Sequence, residues 1–197
     1  VLALALAMLA LDGLGMAQDF WTILGILGLL GGGGAWLTRT LGGYPFLPFC
    51  PDKGWYQPTW RRGASGLLIL LLVMHFVGFA LEIVWRPLFP WDAWMNWAPK
   101  AQVWLEQGHI VPFVAPEDWV AAADPEVYTL GAWHYPPLVP LVQLWMALAL
   151  GYWDESLINL PWWFCGVALV LACYGQARAL GASRLFAVVL VYVLASM

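Results

Sequence analysis

The sequence predicts an all-α, polytopic helical membrane protein, and three observations carry that prediction. Of 197 residues, 62% are apolar and only 10% charged, with a mean hydropathy of +0.74; a soluble domain is about half apolar and a quarter charged. Fifteen tryptophans outnumber eight lysines and arginines, the balance of a chain whose indoles sit at lipid headgroups. The apolar residues also fall in long runs without strand-like alternation, and an isolated strand cannot satisfy its backbone groups in lipid. The same composition excludes a disordered tail, a collagen and a disulfide scaffold. A net charge of −4 without a basic patch excludes a nucleic-acid partner.

Six apolar segments follow in order: 1–11, 20–37, 67–85, 136–153, 157–177 and 185–197. The first and last are shorter than the roughly 20 residues a spanning helix needs. The chain therefore reads as a piece of a longer protein, cut within a membrane helix at each end. Val1–Leu11 lacks the basic flank of a signal peptide. Segment 20–37 contains Gly31–Gly34 after Gly25 and Gly28. It follows no strand and precedes no Lys-Ser/Thr pair, so it predicts close helix packing or a local break rather than a phosphate loop. Segment 67–85 holds His75, a candidate donor to a neighbouring helix, and Glu82, one turn from Arg86 and spaced for an interfacial ion pair. Cys165 and Cys173 share one run and Cys50 stands apart; without a CxxC motif they read as packing thiols.

These segments predict two regions. Residues 1–66 hold two membrane helices and the Pro-, Gly- and aromatic-rich loop 38–66; residues 67–197 hold the remaining spans and the outer loop 86–137. Loop cations set the orientation. Loop 38–66 carries Arg39, Lys53, Arg61 and Arg62 against Asp52, a net of +3. Interval 86–137 carries Arg86 and Lys100 against Asp92, Glu106, Glu117, Asp118, Asp124 and Glu126, a net of −4. The first is expected in the cytoplasm and the second outside it. One feature conflicts: if 136–153 spans, Asp154 and Glu155 fall inside and Arg178 and Arg184 outside, unless that segment is short or re-entrant. The four acids from Glu117 to Glu126 read as a solvated loop.

The stretch from Trp91 to Gln107 carries the chemistry. On a helix, Trp91, Trp94, Met95, Ala98, Ala101, Trp104 and Leu105 form an apolar stripe, while Asp92, Asn96 and Lys100 recur every four residues on another face. Pro99 kinks such a helix or starts a second one. The result is one or two short amphipathic helices on the membrane surface, with Asp92 available as an N-cap. A second polar cluster, His134-Tyr135-Pro136-Pro137-Leu138, turns into the next apolar segment. Together the clusters can enclose a site for an amphiphilic anion.

An apolar span, an outer loop opening with an acid on a juxtamembrane helix, and a Pro-Pro-Leu turn into the next span resemble the GT-C glycosyltransferases. The nearest likeness is to the protein O-mannosyltransferase and aminoarabinose-transferase group, and to bacterial transferases with Trp-Asp-Ala-Trp and Lys-Ala in this loop. Trp91-Asp92-Ala93-Trp94, Trp97, Lys100-Ala101 and His134 to Leu138 carry the resemblance, which covers roughly residues 67–197. It implies a sugar donor on polyprenyl phosphate, an extracytoplasmic lipid, glycan or protein acceptor, and a bacterial inner membrane. It implies Asp92 as the catalytic base, Lys100 and His134 on the donor phosphate, and Trp97 and Tyr135 lining the substrate. Relatives differ in needing a divalent ion, Mg or Mn, and no ligand cluster is evident here. The competing readings are a transporter or flippase-like protein for lipid-linked sugars, with Glu82, His75 and Asp92 along a path, and a non-catalytic assembly subunit.

Overall fold

A computed structural model describes residues 1–41, 58–88, 91–122 and 126–196. Cys50, Asp52, Lys53 and Asp124 lie outside these residues. The described chain is mainly helical: α1 (Leu2–Gly13), α2 (Phe20–Thr40), α3 (Thr59–Trp85), α4 (Ala98–Gln107), α5 (Pro116–Ala121), α6 (Leu138–Leu150), α7 (Leu160–Ala179) and α8 (Arg184–Ser196). The all-α expectation needs one correction. Phe113–Val114 (β1) and Tyr128–Thr129 (β2) pair in parallel, with Phe113 opposite Tyr128. A parallel pair needs a crossover of about a dozen residues, usually helical, and α5 occupies it.

Three helical stretches are long and apolar enough to cross a membrane: Phe20–Thr40, Thr59–Trp85 and Leu157–Ala179. At 1.5 Å per residue they measure roughly 30 to 40 Å. Helix α3 begins eight residues before the predicted 67. Its first turn places the Arg61 guanidinium over Trp60, 5.3 Å from the ring centroid, the pairing of an interfacial anchor. The Gly31–Gly34 run neither breaks α2 nor packs closely. The helix continues to Thr40, and a Cβ on any of the four would meet nothing within 4 Å. Helix α6 differs from the long three. Its 13 residues make about 20 Å, short of the roughly 30 Å hydrocarbon layer.

The chain divides into two compact units that interleave along the sequence: Val1–Gly33 with Ile83–Pro161, and Gly34–Glu82 with Trp162–Met197. The first is built on α6. Leu141, Val142, Leu144 and Ala147 are fully buried, and α1 and α4 pack on this helix. The Phe20 ring stacks on Trp145 at 5.3 Å. Asp12 Oδ1 accepts from the Ile110 amide at 2.8 Å and ties α1 to the large loop. In the second unit, Trp163 Nε1 donates to the Phe76 carbonyl at 2.8 Å. A Cβ at Gly166 would come within 3.3 Å of the Phe76 ring, so glycine permits this approach of α7 to α3. His75 is exposed and makes no hydrogen bond among the described residues; its ring meets that of Phe76 edge-on at 5.9 Å. Glu82 and Arg86 are both exposed.

Candidate functional site

The predicted juxtamembrane helix is present and runs through Pro99 without stopping. Ala93–Trp97 form a π turn that leads directly into α4. Proline lacks an N–H, and its ring crowds the carbonyl four residues back. The wider π turn relieves that crowding, and such turns recur at functional sites. Its signature is the Ala98 amide donating to Ala93 O, five residues back.

The π turn also separates the two halves of the stripe. Ala98, Ala101 and Trp104 are buried, and Trp104 Nε1 donates to Val111 O at 2.9 Å. Trp91 and Trp94 remain 69% and 50% exposed. The polar row divides in the same place. Asp92 is exposed and Asn96 half-buried, whereas Lys100 is only 3% exposed. Lys100 is therefore not on a solvated face.

Helical dihedrals at Asp92 and the absence of a side-chain cap remove the N-cap explanation of this acid. Asp92 Oδ1 instead accepts from Asn96 Nδ2 at 3.0 Å, leaving the carboxylate open to solvent.

Lys100 Nζ donates to Trp133 O at 2.8 Å and to Tyr135 O at 3.0 Å. The reason lies in the Pro-Pro pair. The Trp133 carbonyl would ordinarily be served by an amide three or four residues on, but these are Pro136 and Pro137, neither of which has an N–H. A part-buried carbonyl then takes its donor from elsewhere, and the ammonium supplies it. Phe113 lies beneath the ammonium, with its ring centroid 5.7 Å away. Burial lowers the Lys100 pKa from its ordinary 10.5. The Lys100 ammonium thus meets two backbone carbonyls at a buried location.

The turn is thereby joined to the helix. Backbone bonds from Trp133 N to Leu130 O and from Tyr135 N to Ala132 O fold it tightly. The Trp97 and Tyr135 rings lie 5.0 Å apart at 38°. His134, between the two carbonyls that Lys100 holds, is exposed, with its ring edge-on to Trp133 and Tyr135. Lys100, Trp97, His134 and Tyr135 thus form one group. Asp92 stands five residues before Trp97 on the same helix.

Supporting packing comes from elements the sequence did not reveal. Phe113 stacks near Tyr128 at 5.9 Å, Gln107 Nε2 donates to the Tyr128 hydroxyl at 2.8 Å, and Trp119 Nε1 donates to Val127 O at 3.0 Å. The large loop is a folded cap. Among the described residues, no three His, Cys, Asp or Glu side chains converge on a position for a metal ion.

No family model, curated protein or solved structure matches this chain.

Proposed function

We propose that this chain belongs to an integral-membrane glycosyltransferase of the GT-C type, which moves a sugar from a polyprenyl-phosphate donor to an extracytoplasmic acceptor. The observation that carries the reading is the Lys100 clamp, which joins the acid-bearing helix to the histidine-bearing turn. Transfer needs both in one small region, because the base and the phosphate-binding group serve the same reacting centre.

In this mechanism the Asp92 carboxylate takes the proton of an acceptor hydroxyl. The hydroxyl oxygen bonds to the anomeric carbon, and the bond from that carbon to the polyprenyl phosphate breaks. The electron pair leaves with the phosphate. His134, exposed at the turn, donates a hydrogen bond to the departing phosphate. Trp97 and Tyr135 border the sugar, and Lys100 fixes the turn that presents His134. Membrane lipids surround the indoles at the head of the helix. The acceptor class is a lipid, glycan or protein hydroxyl.

The proposal includes a revised topology, with the cap outside the cytoplasm of a bacterial inner membrane. The three long helices are the crossings and α6 belongs to the cap. Asp154 and Glu155 then share the outer side with 86–137, and Arg178 and Arg184 return to the side of Arg39, Arg61 and Arg62. This removes the charge conflict met in the sequence and follows the positive-inside rule. Support comes from the short length of α6, its packing on α4 and the pocket that α4 shares with Trp153 and Glu155.

The test is transfer of radiolabelled sugar from polyprenyl phosphate in membranes carrying the full-length protein. Asp92→Asn preserves size and the Asn96 contact but cannot accept the proton, so a loss of roughly 100-fold or more is expected. Wild-type transfer at equal expression would refute the assignment.

A further inference from the structure

A second site lies on a different face of the juxtamembrane helix. A cavity of about 240 Å³ is bordered by Trp94, Met95, Pro99 and Gln102 on the helix, and by Trp153 and Glu155 after α6. None of the lining residues is a cation, and Glu155 is the one charged residue among them. Glu155 is exposed and makes no hydrogen bond or ion pair among the described residues. Its neighbour Asp154 is committed, accepting the Ser156 and Leu157 amides at 2.9 and 2.8 Å. The Gln102 amide nitrogen donates one of its two hydrogens to Glu106 Oε1 at 3.3 Å, and its amide oxygen has no partner among the described residues.

Two indoles beside a free carboxylate, with no cation to neutralise it, form a recognisable chemical environment. Indole faces attract cations, and organic ammonium groups most of all, because these shed water easily. A carboxylate adds charge complementarity. We propose that this pocket binds an organic ammonium group of the ethanolamine or choline type. The group arrives either on a zwitterionic lipid at the membrane surface or as a free soluble amine. The inference does not rest on the transferase reading, since it uses neither Asp92 nor the Lys100 clamp.

The full-length protein, purified in a neutral detergent, tests this by calorimetric titration with choline, with dihexanoyl phosphatidylcholine and phosphatidylethanolamine, and with dihexanoyl phosphatidylglycerol as the amine-free control. The expected result is binding of one or both amine-bearing classes and at least about tenfold weaker binding of phosphatidylglycerol. Glu155→Gln and Trp153→Leu each weaken the amine by about tenfold. Trp153→Phe retains most of it, and Glu117→Gln, distant on α5, changes nothing. Because Glu155 has no hydrogen-bond or ion-pair partner among the described residues, Glu155→Gln is expected to melt like the wild type, so its effect reads binding rather than folding. Binding of the lipids alone identifies a headgroup as the source, and equal binding of choline identifies a soluble amine. Absence of amine binding, equal binding of phosphatidylglycerol, or full affinity in Glu155→Gln overturns the proposal.

Discussion

The two halves of the juxtamembrane helix carry similar residues and do opposite things. In α4, Ala98, Lys100, Ala101 and Trp104 are buried and their polar atoms are committed. In the preceding π turn and its flank, Asp92 is open to solvent and two tryptophans are half or more exposed. The contrast teaches where to look for chemistry. A charged residue at a buried location with every partner within the fold holds the scaffold, whereas the carboxylate at the exposed end remains available to a substrate. Pro99 divides the two, since the missing N–H forces the register change between them.

Substitutions at each end should break the contrast in different observables. Lys100→Met gives the largest loss of stability. It strips the donor from two carbonyls at once, and each orphaned group costs roughly 1–3 kcal/mol. Thermal unfolding in detergent should show a clear drop in midpoint, whereas Asp92→Asn melts like the wild type. The Lys100 term also depends on pH with a defined sign. Because its pKa is lowered in the fold by burial, the unfolded chain binds the proton more tightly. The wild type should therefore gain on Lys100→Met as pH rises through the window just below 10.5, as paired melting curves at several alkaline pH values can measure.

Pro99→Ala tests the seam. Restoring the N–H allows an ordinary α turn, so stability should hold or rise. Loss of the extra residue in the turn rotates Asp92 by roughly 100° relative to α4, and transfer should fall at least tenfold. Unchanged transfer would separate the π turn from function. Trp97→Ala removes the contact with Tyr135, worth about 1 kcal/mol beyond its area, and should loosen the turn modestly. Asp12→Ala removes one charged acceptor of the Ile110 amide, a local loss of about 1–2 kcal/mol; protection of that amide in hydrogen exchange is the readout.

Much of this was legible in the sequence, for physical reasons. Long apolar runs can only be helices in lipid, so the three long helices were predictable, and the 3.6-residue period gave the helix after α3. The four-residue spacing correctly put Asp92, Asn96 and Lys100 in one row. It did not reveal that the row descends from solvent into the core, because burial depends on what packs opposite. A signal for the clamp was nonetheless present: Pro136-Pro137 leaves the Trp133 carbonyl without a local donor, and Lys100 is one of two cations in the loop. Hydropathy does not separate α6 from a span, because a helix buried in protein and a helix buried in lipid have the same composition; its 13 residues are fewer than a spanning helix needs. The β1–β2 pair, two residues per strand, is too short for any alternation to register. The sequence did not group Glu155 and Trp153 with the helix, because only tertiary packing brings them to it.

The claim on which the account depends most is that the juxtamembrane helix and the turn after α6 occupy the same membrane face. Single cysteines at Gln107, Tyr152 and Thr59, in a background lacking the native three cysteines, can be exposed to a membrane-impermeant thiol reagent in intact cells. The account predicts labelling at 107 and 152 and none at 59 until the membrane is permeabilised. Labelling at 107 without 152 would make α6 a crossing helix and separate Glu155 from the cap, and labelling at 59 alone would put the proposed site in the cytoplasm.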